Sequence, residues 1–267
     1  MLAVPLSEVG RRGRLNLIFS WRRGRTVIRD AYCEVPFKIT RLHDAHPAKI
    51  AHLILMQSTA GLFGGDTTEC TIHVEEGARI LITQQSATKA HPSGGRRATQ
   101  TNRIRVEAGG ELHIYYDPLI PFCGARVCQT TSIDVAPGAS LCFWEGLMAG
   151  RVGRGETWQF DEFSSETSLR VNGRQLYLDR FRSRPREDPP EKQWMMGNAR
   201  YLGTGLCFDQ RASAFAERLH QLLPDAGVGI DTPAPGLAVA RIVAVHGPEF
   251  HRYRSIFASL LNSIAIG

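Results

Sequence analysis

The sequence predicts a mainly β fold, a β-helix or solenoid-like stack of repeated strand pairs with two C-terminal helices, on three observations. First, one register recurs. Val74-Glu-Glu-Gly-Ala-Arg-Ile80, Val106-Glu-Ala-Gly-Gly-Glu-Leu112 and Val135-Ala-Pro-Gly-Ala-Ser-Leu141 share it: apolar, two residues, glycine, small, any, apolar. Val171-Asn-Gly-Arg-Gln-Leu176 repeats it one residue shorter, and the four copies start 32, 29 and 36 residues apart. Second, apolar residues alternate around the turns, with Ile104 and Val106 before Gly109-Gly110 and Leu112, Ile114 and Tyr116 after it. Third, helical spacing appears only late in the chain, which argues against a doubly wound α/β fold. A two-stranded unit cannot bury its apolar face alone, so copies at a period of about thirty must stack and share a core.

Taken in order, residues 14–62 read as strands. Arg14 to Phe19 alternates, Arg22 to Arg25 is a turn, Thr26 to Ile28 resumes, and Ala51 to Met56 is an apolar run suited to a strand buried on both faces. Gly61-Leu-Phe-Gly-Gly-Asp66 breaks that run, its glycines permitting positive φ. Thr68 to Val74 leads into the first repeat. Thr83 to Arg97 is polar and broken by Gly and Pro, which predicts a protruding loop. Asp117 to Ala125 carries two prolines, each lacking the N–H a ladder needs. Ser183 to Lys192 reads as a charged linker. Phe215, Leu219 and Leu222 then mark one helix, with Asp209 as its cap and Pro224 as its stop. Leu237 to Val245 is a further strand, and Phe250, Tyr253, Phe257, Leu260, Leu261 and Ile264 line a terminal helical face. The organisation is a single domain over 1–267, with a β-repeat body at 14–182 and a C-terminal strand and helices at 193–267.

The 267 residues, 43% hydrophobic and 22% charged, suffice for an ordinary core. The net charge of +6 is carried by arginine clusters at Arg11, Arg12 and Arg14, at Arg22, Arg23 and Arg25, and at Arg180, Arg182, Arg184 and Arg186. They lack regular aromatic interleaving, so nucleic acid is not an expected partner. Six cysteines without a C-x-x-C pair, and no apolar run near eighteen residues, point to a reducing cytoplasm and no membrane.

No nucleophile elbow, Walker loop or H-E-x-x-H motif occurs. His43-x-x-His46 with His52, and Cys123 with Cys128, do not fit a closed zinc site. Such scattered donors suit transient contacts better than a stored ion. Asp66, Asp117, Glu145 and Glu156 leave open a β-helix carbohydrate-active enzyme using paired carboxylates, although nothing in their spacing selects two of them. Asp117-Pro-Leu-Ile-Pro-Phe122 and the Gly-rich Leu147 to Glu156 leave open a protein-recognition surface.

Several segments together resemble the UreD (UreH) family of urease accessory proteins. They are Gly61 to Asp66, Thr83-Gln-Gln-Ser-Ala-Thr-Lys89, Asp117 to Ala125, Trp144-Glu145, Gly150-Arg-Val-Gly-Arg-Gly-Glu156 and Leu178-Asp-Arg180. The resemblance implies a β-helical, non-catalytic scaffold that binds urease apoprotein, a UreF-type accessory protein and, through it, a UreG-type GTPase. It also implies passage of nickel through an internal tunnel, with nickel transient rather than a stored cofactor. Carried onto this chain, the resemblance makes Asp66, Glu145 and Glu156 the expected nickel path. Lys89, Asp117, Arg151, Asp179 and Arg180 are its expected structural or partner-contact residues.

Overall fold

The computed structural model describes residues 11–45, 50–192 and 195–263, with the backbone alone at 44, 45 and 261–263. In it the repeated glycine turn is a corner between two sheets. Glu75–Ala78, Glu107–Gly110 and Ala136–Ala139 each close with a hydrogen bond from the fourth residue's N–H to the first residue's carbonyl, at 3.1, 2.9 and 3.1 Å. The third residue of each, Gly77, Gly109 or Gly138, has φ of +73, +71 or +79°. Positive φ at that position is the type II requirement, and Pro137 fills the second position that favours proline.

Strands β1 (Arg12–Arg22), β2 (Arg25–Cys33), β3 (Phe37–Ile39) and β4 (His43–Ala45) precede four coils. The first coil runs β5 (Ile50–Gln57) to β6 (Thr67–Val74), and the second is β7 (Arg79–Gln84), β8 (Lys89–Ala90) and β9 (Ala98–Val106). The third is β10 (Glu111–Tyr115), β11 (Ile120–Pro121) and β12 (Arg126–Val135), and the fourth is β13 (Ser140–Met148) and β14 (Glu162–Val171). Then follow β15 (Arg174–Ser183), β16 (Tyr201–Phe208), α1 (Ala212–Leu222), β17 (Val228–Ala234), β18 (Leu237–Ala244) and α2 (Gly247–Ser263).

The solenoid-like, mainly β architecture is the expected one. The two strands at a corner, however, pair with their equivalents in the next coil and not with each other. The first sheet has the order β15-β14-β12-β9-β6-β1-β2, and the second β17-β18-β16-β13-β10-β7-β5-β3, with β4 on β5. Within them β1, β6, β9, β12 and β14 run parallel, as do β5, β7, β10 and β13. The shorter fourth copy differs: Asn172 and Gly173 both take positive φ, +49 and +77°, and β14 and β15 form a hairpin. Two successive left-handed residues make the type I′ turn that suits antiparallel strands.

The expected loop from Thr83 to Arg97 does not protrude. It carries the third side of the second coil, where Ile120 N–H donates to the Thr88 carbonyl and Phe122 N–H to that of Ala90, both at 2.8 Å. Pro121 is tolerated inside this ladder because the N–H groups used belong to the residues on either side of it. Of β5 the inward Ala51, Leu53 and Leu55 are buried, whereas the outward His52, Ile54 and Met56 are half-buried.

The helices pack on the outer face of the second sheet, around buried Trp144, Phe215, Phe250, Tyr253 and Phe257. Their close approach explains the glycines of β16: a Cβ at Gly205 would stand 2.4 Å from the Phe257 ring. Asp209 does not cap α1 through its side chain. Arg211 holds the cap position, and the Asp209 carboxylate accepts from Arg211 N–H at 2.8 Å and Ser140 Oγ at 2.6 Å. Leu222 is exposed, and Leu223 is buried in its place. His46, Ile264 and the Leu261 side chain lie outside the described residues. Among the described residues no helix is long and apolar enough to cross a membrane, and all six cysteines are free thiols.

Candidate functional site

Inward residues of the first sheet stack into rows that can be counted back from each corner. Val74, Val106, Val135 and Val171 form one row, and Ile72, Ile104, Ile133 and Leu169 the next. Two residues further back the chemistry changes. Cys70, Asn102, Thr131 and Thr167 form a third row, and Thr68, Gln100, Gln129 and Ser165 a fourth. One step beyond, Ala98, Val127 and Phe163 are apolar again. A polar lane therefore runs along the coil axis between two apolar clusters.

The second sheet closes the lane with Glu145 on β13, in register with Thr204 on β16, which is in register with Arg241 on β18. Two cavities meet there, with volumes of about 40 Å³ and 50 Å³, both lined by Gln129, Glu145 and Gly146. The first extends towards Gln57, Gln84 and Asp117, and the second towards Ser165, Asp179 and Arg241. Each has room for a few water-sized occupants, and its walls supply the polar partners such occupants need.

Glu145 stands half-buried at the junction of the two cavities. Its carboxylate accepts from Gln129 Nε2 at 2.8 Å and from Thr167 Oγ1 at 2.6 Å. Burial, reinforced by the nearby charge of Asp179, raises its pKa to about 7 against the pull of those hydrogen bonds and of Arg241. At neutral pH both its charged and its neutral form are therefore populated. The Tyr116 hydroxyl, also in the lane, is buried with no hydrogen-bond partner in the described protein, and burial holds its pKa well above the usual value.

Two ion pairs flank Glu145, one on the third coil and one beyond the fourth. Asp117 meets Arg254 of α2 at 2.9 Å, and Arg254 also donates to the Tyr115 carbonyl at 2.9 Å, fastening the terminal helix to the coil. Beyond the fourth coil Asp179 of β15 meets Arg241 of β18 at 2.5 Å.

The remaining sequence-predicted residues lie elsewhere, so Asp66, Glu145 and Glu156 are not brought together. The Asp66 carboxylate accepts from the backbone N–H of Arg11 and Phe63, at 3.0 and 2.8 Å, and holds the glycine loop before β6. Glu156 pairs with Arg151, whose guanidinium sits 4.3 Å from the Phe122 ring centroid. That hydrogen bond lowers the Glu156 pKa against a smaller effect of burial. Lys89 is exposed on β8 beside the third-side stack of Phe63 on His91, with ring centroids 4.3 Å apart. Arg180 makes a surface pair with Glu166 at 2.8 Å. Part of the arginine clustering has an inward partner, since Arg182 and Arg184, together with Arg97, converge on buried Glu162 at 3.2, 3.5 and 2.8 Å. Among the described residues no three His, Cys, Asp or Glu side chains form a group that could hold a metal ion.

Sequence reasoning missed Gln100, Asn102, Gln129, Thr131, Thr167, Thr204 and Arg241. For the first five the signal was available, as polar residues recurring at inward positions four or six steps before the valine that opens each copy. Thr204 and Arg241 had no such signal, because antiparallel strands that join a sheet late carry no fixed spacing to the repeat.

Comparison with known proteins gives a consistent result. The family model described as UreD urease accessory protein matches residues 11–266. A relative from Deinococcus radiodurans, "Urease accessory protein UreD", is 35% identical over 257 residues, covering 92% of this chain and 89% of the relative. A Nostoc sp. protein of the same name is 31% identical over 189 residues, 71% of this chain and 63% of its own length. One from Sorangium cellulosum is 32% identical over 213 residues, 79% of this chain and 66% of its own.

Proposed function

The chain belongs to the UreD family of urease accessory proteins, which supports a role in urease maturation, and on that premise we propose a non-catalytic scaffold that passes nickel to urease. In this reading it acts in the cytoplasm and binds urease apoprotein and a UreF-type accessory protein. Through the latter it engages a UreG-type GTPase, whose turnover drives nickel insertion.

The observation that carries the nickel path is the polar lane with Glu145 at its junction. Its walls offer hydroxyl, carboxamide and carboxylate oxygens, which a divalent cation accepts, with Asp117 and Asp179 further along in either direction. Carboxylates spread singly along a lane suit a cargo that must leave, whereas storage needs several converging donors. Asp66 and Glu156 are engaged in loop hydrogen bonds, so the path centres on Glu145. A carbohydrate enzyme is the weaker reading. Ligand pockets for such molecules run to about 300 Å³ or more, and the cavities beside Glu145 are about 40 and 50 Å³.

The test is Glu145→Ala in cells that express urease with its accessory proteins. Urease activity should fall severalfold while the variant still co-purifies with urease and the accessory subunits. Normal activity would remove the lane from the mechanism, and failure of the wild-type chain to co-purify would remove the scaffold.

A further inference from the structure

We propose that the Arg241 guanidinium is a built-in, displaceable occupant of the lane, holding Asp179 at the mouth until a divalent cation takes its place. This deepens the nickel-path reading and rests on it.

The geometry sets Arg241 apart from the other residues of the lane. It projects from β18 in register with Thr204, itself in register with Glu145, while Asp179 projects from β15 in register with Thr167. The pair therefore joins the two sheets beyond the last coil, where the second cavity ends. Arg241 also donates to Thr204 Oγ1 at 3.2 Å. Among the described residues lining the two cavities, Arg241 carries the one cationic side chain. A guanidinium does not lose its proton at any ordinary pH. The positive charge at this mouth can therefore only be moved aside, never switched off.

Solvent reaches the arginine. The Asp179 side chain is 17% exposed and that of Arg241 is 48% exposed, so solvent lies on the arginine's outer side. Arg254, which also has two partners, Asp117 and the Tyr115 carbonyl, is only 19% exposed, so Arg241 differs from it in its access to solvent. Solvent on the arginine's side screens the pair in part, which lowers the cost of moving the guanidinium aside. A dication and a guanidinium repel each other strongly at one carboxylate, so occupancy of Asp179 is exclusive. Exchange at this position would close the lane to bulk solvent when empty and open it when loaded.

The experiment measures nickel binding by the full-length chain in equilibrium dialysis, with Ni²⁺ as the probe. Arg241→Met should bind one Ni²⁺ about tenfold more tightly than wild type, a gain of the size expected from removing one like charge at a partly screened site. Arg241→Lys, which keeps the charge, should bind as wild type does, and the gain should vanish in Arg241→Met combined with Asp179→Asn. Unchanged or weaker binding by Arg241→Met overturns the proposal, as does a gain that survives loss of Asp179. Arg241→Gln carries the same expectations should the Met variant fail to fold. Dialysis reads the exchange without urease present. Failure of the nickel-path reading shows separately, as normal urease activation by Glu145→Ala.

Discussion

Along β12, Ile133 and Val135 sit in a dry core, while Gln129 and Thr131, on the same face of the same strand, line a polar lane. Every coil repeats the division, so the interior divides into a polar half, the lane, and an apolar half that flanks it on both sides. Burying amides, hydroxyls and a carboxylate there is a weak source of stability, because apolar replacements of similar volume are often neutral or stabilising. The apolar half explains why the coil stands. The polar half is where the proposed passage runs.

Three substitutions sharpen that contrast. The largest stability effect belongs to the apolar half. Phe143→Ala removes a fully buried ring and should cost about 3–5 kcal/mol, read as a shift in the urea midpoint. Urease activation should fall only in proportion to the folded protein lost.

The next belongs to Glu145, with the opposite sign. Its pKa rises from 4.5 to about 7 on folding, so between those values the folded chain binds more protons than the unfolded one. Wild-type stability should then decline as pH rises through that window and level off above it. Glu145→Gln should abolish the slope and gain as much as about 3 kcal/mol above pH 7, while impairing activation. Stability profiles of the two proteins that run parallel would contradict the buried carboxylate.

The smallest effect is expected outside both halves. Arg180→Ala breaks an exposed pair with Glu166 and should shift stability by about 0.5 kcal/mol or less, in the same denaturation assay.

The coil was legible because its corners are local. A type II turn needs glycine at one position, and three Val-x-x-Gly segments supplied it in phase. The fourth copy announced its difference by the missing residue: Asn172-Gly173 is hairpin chemistry, so the chain turns back there instead of starting another coil. The third side was misread as a loop, because Lys89-Ala90 and Ile120-Pro121 are too short and too polar or proline-bearing to look like strands. Of the expected nickel residues, Glu145 alone lies at the lane's junction. Asp66 looks equally acidic in sequence, but its partners are backbone N–H groups that no side-chain motif reveals. Arg241 was invisible for a related reason, since its link to Asp179 depends on which strand edges meet after the coils end.

The central claim is that cargo passes between the two sheets through the polar rows. Ser165 lines the second cavity, of about 50 Å³, and a phenyl ring there would fill it. The decisive measurement is the nickel content of urease apoprotein after incubation with purified accessory complex carrying Ser165→Phe, at matched amounts of assembled complex. The account predicts nickel near the level reached without the accessory complex, and loading equal to wild type would contradict it.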